Sequence, residues 1–182
     1  MSKLSGAIRV RLLTMLLICT ILGGMSVSAS TLRGKYPTRK GTILVTSDYI
    51  YGLLPTGHAA IVWDANHVIE AQGKGIVIGK NNWMQTRREV FGVTVRQTSK
   101  EQDAKAADWC KKQLGKKYNL NYFNKKTRKK FYCSQLVWAA FYDLYHIDLS
   151  DEGWRPATWT SAVHPLELVT SRQTKTIFYY KR

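Results

Sequence analysis

The chain has 182 residues, 45% hydrophobic and 22% charged, with 28 Lys and Arg against 12 Asp and Glu and a formal charge of +16. No internal repeat or low-complexity tract is present, which excludes a solenoid and a disordered tail protein. The charge favours polyanions, namely nucleic acid, anionic lipid or an acidic wall polymer.

The N-terminus has the form of a secretory signal peptide. Lys3, Arg9 and Arg11 precede the apolar run LLTMLLICTILGGM, and small residues follow in SVSAS. This pattern predicts cleavage near Ser28 or Ser30, with an uncleaved membrane anchor as the alternative. Cys19 lies inside the apolar run and is discarded with it. The division is therefore a signal peptide over 1–30 and one domain over 31–182. Nothing in the latter is long and apolar enough to span a membrane. The mature part keeps 25 basic and 12 acidic residues, a net +13.

Residues 31–41 are polar, punctuated by Gly and Pro, and read as a lead into the fold. TILVTS is a β-branched run and a predicted buried strand. Residues 48–57 read as a loop or one helical turn. HAAIVW and HVIEA, parted by the turn formers Asp64, Ala65 and Asn66, predict a hairpin. KGIVIG and EVFGVTVR follow as strands, with NNWMQT between them as a short helical turn. Thr98 and Glu101 have capping-box spacing before KEQDAKAADWCKKQLG, a helix pattern closing on Gly115 with Ala107, Cys110 and Leu114 on one face. Residues 116–130 read as an exposed loop carrying Tyr118, Tyr122 and the run Lys125, Lys126, Arg128, Lys129, Lys130. No single-strand nucleic-acid binding pattern surrounds it.

FYCSQLVWAAFYDLYH has apolar positions at 133, 136, 137, 140, 141 and 144, a sustained helical stripe. In the tail, HPLELV predicts a short helix begun by Pro165, and IFYY a last strand. The sum is an α+β fold with an antiparallel sheet.

Two cysteines remain after the leader, Cys110 and Cys133. In a secreted chain a pair can simply form a disulfide. Cys133, however, opens its helix, where free N–H groups and the helix dipole stabilise an anion. That lowers a thiol pKa, and the same N–H groups can hold an oxyanion. A nucleophilic thiol also needs a base. Of the four histidines, His58 starts a strand, and Glu70 lies twelve residues on, across the hairpin. If the turn centres on Asp64 or Ala65, the two share a face as opposite or diagonal neighbours. If it centres between those residues, they point apart. On a shared face Glu70 orients one imidazole nitrogen and the other meets the thiol. His67, His146 and His164 read as structural or exposed. No CxxC, HExxH or close His/Asp cluster indicates a metal site.

In this order, GTILVTS, GHAAIVWD, VIEA, LGKKYN and FYCSQLVWAAF resemble the permuted papain-fold amidases of the YiiX and YaeF type, relatives of the NlpC-type cell-wall peptidases. The resemblance spans roughly 40–170. It implies a circularly permuted papain-like fold with Cys133 as nucleophile, His58 as base and Glu70 as its orienting residue. Tyr118 falls where the family has a tyrosine near the site, able to line the pocket or assist the oxyanion. Two departures stand out: Thr42 where the family often has an acidic residue, and Gln135 where it often has glutamate. The resemblance also favours a free Cys133 over a disulfide.

The resulting expectation is a secreted, monomeric cysteine amidase or peptidase. It would act on amide bonds of cell-wall peptide with no metal or organic cofactor and no nucleic-acid partner. An anionic wall polymer or lipid surface would hold its basic face. The rivals are a thiol-dependent lipid acyltransferase or lipase, and a non-enzymatic basic binding module tied by Cys110–Cys133.

Overall fold

The computed structural model describes residues 30–48, 57–150 and 162–182. The leader, most of the 48–57 segment and Pro156 lie outside them. The described residues form a mixed α+β fold on a seven-stranded sheet. Its strands are β1 (Thr31–Arg33), β2 (Ile43–Thr46), β3 (His58–Val62), β4 (His67–Gln72), β5 (Gly75–Lys80), β6 (Glu89–Val95) and β9 (Thr174–Lys181). They run in the order β1-β9-β6-β2-β3-β4-β5, with every neighbouring pair antiparallel. Four helices are described: α1 (Trp83–Thr86), α2 (Lys100–Lys111), α3 (Cys133–Tyr145) and α4 (Glu167–Thr170).

Strand alternation divides the core into two faces. Ile43, Val45, Ala59, Ile61, Ile69 and Ala71 face the helices and meet Leu136, Val137, Ala140 and Phe141 of α3. Leu44, Ala60, Val62, Val68 and Val90 face the other way, under Trp83 and Phe178. Residues 134–141 of α3 are all buried, so this helix is enclosed on every side for two turns. Each such Leu, Val or Phe contributes about 1.5–3 kcal/mol by leaving water. The predicted stripe holds until its last member, because Leu144 is exposed at the helix end. The expectation of a shared buried face on α2 fails in the same way. Ala107 and Cys110 are buried, but Leu114 lies past the helix and is exposed.

Other boundaries also move. The capping box of α2 is Ser99 with Gln102, not Thr98 with Glu101: Gln102 N donates to Ser99 Oγ at 3.3 Å and Ser99 N to Gln102 Oε1 at 2.8 Å. Thr98 is spent elsewhere, donating to Asp103 Oδ1. Helix α4 starts at Glu167 rather than Pro165, and Glu167 accepts from the backbone N–H of His164 at 2.9 Å. The predicted loop 116–130 is closed by β7 (Lys117–Tyr118) and β8 (Lys130–Phe131), a short parallel pair.

Candidate active site

The hairpin register answers the question the sequence left open. Ala60 pairs with Glu70, Ile61 with Ile69 and Val62 with Val68, so the turn centres on Ala65. His58 and Glu70 therefore share a face as diagonal neighbours. His58 Nε2 and Glu70 Oε2 stand 2.6 Å apart, both side chains almost wholly buried. Gly57 precedes the histidine at φ +72, and a Cβ there would meet the Thr46 carbonyl oxygen at 2.2 Å. That position needs glycine for the strand to begin where it does.

Cys133 is the first residue of α3, and both cysteines are free. The thiol is hydrogen-bonded to His58 and accepts from the backbone N–H groups of Ala59 and Ser134. His58 is thus held between Glu70, met by Nε2, and the Cys133 thiol. Burial alone raises the thiol pKa; the His58 charge, its hydrogen bond and the two N–H groups outweigh burial and hold it below the usual thiol value. Burial likewise works against protonated His58, but the Cys133 charge and hydrogen bond, then Glu70, push its pKa up to about 9. The contact thus shifts Cys133 toward the thiolate and His58 toward the imidazolium. Cys110 contrasts with this. Burial alone pushes its thiol far up, and its Sγ reaches only the carbonyl of Leu136 at 3.7 Å.

Tyr118 ends β7. Burial, and next the Cys133 charge, raise its phenol strongly, which sets it in the electrostatic reach of the thiol. Two other histidines lie outside this series. His67 is exposed and pairs with Asp64 at 2.9 Å. His146 ends α3 in the left-handed region at φ 57.

Three further contacts hold the His58–Glu70 pair. Trp83 stacks on the His58 ring with centroids 5.5 Å apart and 27° between planes. Gln72 Nε2 donates to the second oxygen of Glu70 at 3.0 Å. Gly79 on β5 lies so close that a Cβ would meet Glu70 Oε1 at 1.8 Å. Gln72, two residues from Glu70 on the same strand face, carried a findable signal; Trp83 and Gly79 depend on long-range packing.

Gln135 explains one departure from the family pattern. It is fully buried, and its Nε2 lies within bonding distance of the carbonyls of Asn124, Lys125 and Thr127 while its Oε1 accepts from Tyr132 N and Asn119 Nδ2. A carboxylate has no proton for those carbonyls. Thr42 is also fully buried, and its Oγ1 has no hydrogen-bond partner among the described residues.

The family model described as permuted papain-like amidase enzyme, YaeF/YiiX, C92 family, matches residues 47–177. The chain belongs to this family. The fold agrees: the C92 chain is similar to the crystal structure of the metalloprotein YiiX from Escherichia coli O157:H7. The likeness has a TM-score of 0.58 at 16% identity, covering 79% of this chain and 97% of that one. At that identity it speaks for the fold alone. No curated protein matches the C92 chain.

Proposed function

We propose that this C92 chain is a secreted cysteine amidase that cleaves amide bonds of cell-wall peptide through Cys133, His58 and Glu70. The observation that carries the reading is the hydrogen-bonded series Glu70–His58–Cys133 ending at the N-terminus of α3. It supplies an orienter, a base and a nucleophile in contact.

The thiolate of Cys133 attacks the amide carbonyl carbon, forming a C–S bond while the C=O electron pair moves to oxygen. The N–H groups at the start of α3 meet that oxyanion. As the C–N bond breaks, protonated His58 gives its proton to the departing amine. Water then attacks the thioester, neutral His58 takes its proton, and the C–S bond breaks to return thiolate and imidazolium with a free carboxylic acid. Glu70 keeps the ring turned and offsets its charge throughout. Tyr118 borders the substrate beside the sulfur.

YiiX is described as a metalloprotein, which raises a metal for comparison. Among the described residues of this chain no three His, Cys, Asp or Glu side chains are arranged to hold one. The donors nearest the thiol are spent on one another, His58 between Glu70 and Cys133. The described residues do not fit a metal, and no step is routed through one.

The test is incubation of the protein with purified wall peptide, with products read by mass spectrometry. The reading expects new amine and carboxyl ends that Cys133→Ala abolishes. Unchanged wall peptide, or cleavage surviving Cys133→Ala, would overturn it. The basic charge would hold the enzyme on an anionic wall, so high salt should release it.

A further inference from the structure

The segment between the two short strands β7 and β8 joins the candidate site at both ends. Tyr118, within electrostatic reach of Cys133, precedes it, and Tyr132, directly before Cys133, follows it. Its inner side is fastened down. Asn119 is fully buried and donates to the Asn124 carbonyl at 3.2 Å and to Gln135 Oε1 at 2.9 Å. The Tyr122 ring packs 5.3 Å from that of Tyr132. A turn closes from Asn121 to Asn124 through a 3.1 Å backbone bond.

The outer side is apolar and uncovered. Leu120 is 77% exposed and Phe123 69%, against 58% for Leu32, the next most exposed large hydrophobic side chain among the described residues. A held turn that presents a leucine and a phenylalanine to water is not explained by its own folding, since the inward residues do the anchoring. The segment's own charge has one sign, although Arg128 within it pairs with Asp143 of α3. From Lys116 to Lys130 there are seven Lys and Arg and no Asp or Glu. Exposed Lys117 stands three residues before Leu120, and exposed Lys126 three after Phe123.

We infer that the turn bearing Leu120 and Phe123 docks on an anionic phospholipid surface, with its lysines on the headgroups and the two apolar side chains in the interface. Apolar burial and attraction to anionic headgroups add at such a contact. A soluble polyanion would use the lysines and leave Leu120 and Phe123 in water, which is why the lipid surface fits better. The contact is peripheral: no described helix is long and apolar enough to cross a membrane. Docked in this way, the protein would hold the Cys133 sulfur close to the lipid–water boundary. This inference does not depend on the hydrolase reading.

The test is amide hydrogen exchange on the full chain, with peptides over 119–130 as the reporter. Vesicles containing phosphatidylglycerol should slow exchange there, and pure phosphatidylcholine vesicles should not. The double variant Leu120→Ser, Phe123→Ser should need roughly tenfold more phosphatidylglycerol for the same protection. Exchange over α3 without vesicles checks that the variant is folded, and separate peptides report the N-terminal apolar segment. Cys133→Ala should dock like the parent, which separates failure of docking from failure of catalysis. The inference is overturned if the reporter is unprotected on anionic vesicles. It is equally overturned if soluble polyphosphate gives the same protection and the double variant changes nothing, which would make the turn a polyanion site.

Discussion

Gln135 shows how one side chain fastens the loop to the helix of Cys133. Its amide spans the partly buried Asn124, Lys125 and Thr127 carbonyls and the buried Tyr132 N–H. Gln135→Glu would leave those carbonyls facing a carboxylate, a loss of about 1–3 kcal/mol for a buried unsatisfied group. The melting temperature should fall by several degrees in a thermal melt, with Gln135→Ala also destabilised. Gly79 acts on the chemistry instead. Gly79→Ala would drive a methyl into Glu70 Oε1, and a carboxylate already bound by His58 and Gln72 has little room to yield. The variant should fold, keep KM and lose kcat by about tenfold or more, with Cys133 alkylation moved toward higher pH. Unchanged alkylation in a folded Gly79→Ala protein would count against Glu70 as the orienting residue. The family pattern marks residue 135 as a departure, but the choice of an amide is explained only by the loop carbonyls that reach it.

Among elements, α3 is the most legible. Its stripe at 133, 136, 137, 140 and 141 predicts a buried face, and the cysteine at its first position is readable from the same spacing. The hairpin is half legible. Its strands follow from alternation, but the register depends on whether the turn centres on a residue or between two, and the chain alone does not decide that. Pairing of Ala60 with Glu70 decides it and brings His58 to the carboxylate. β1 escapes a sequence reading because Thr31–Arg33 is short and exposed and exists through pairing with β9, far along the chain. The capping box falls one residue from its expected place because Thr98 and Ser99 offer the same chemistry at the same spacing, and Asp103 claims the threonine. At this scale the helix start should matter more than the helix. Ser134→Pro removes one of the N–H groups that hold the thiolate, and Pro is tolerated in a first helical turn. The Ser134 hydroxyl also donates to the Val163 carbonyl at 2.6 Å. Alkylation of Ser134→Ala, which loses only that bond, should keep the parent's pH profile, whereas Ser134→Pro should shift it upward.

At the scale of the molecule, the permuted order is visible in the chain because histidine strand, acidic strand and cysteine helix occur in that sequence. The seven-strand order is not, since β6 and β9 insert between β1 and β2. The whole fold buries His58 against Cys133, which lowers the thiol pKa and raises the imidazole's, and that sets a pH dependence. As pH falls through the depressed thiol pKa, Cys133 takes a proton and turnover drops. As pH rises through about 9, His58 loses the proton it must give to the leaving amine, and turnover drops again. The kcat/KM profile should be a bell with its alkaline limb near 9, and His58→Ala should lower it by about 10²–10⁴-fold.

The most direct test of the thiolate–imidazolium pair needs no substrate. It is the alkylation rate of each cysteine in the native protein as a function of pH, mapped by mass, with His58→Ala alongside. The account predicts that Cys133 reacts well below the ordinary thiol pKa, that Cys110 stays inert until unfolding, and that His58→Ala moves the Cys133 curve to higher pH. A Cys133 that titrates like a free thiol, or a curve that ignores the loss of His58, would contradict it.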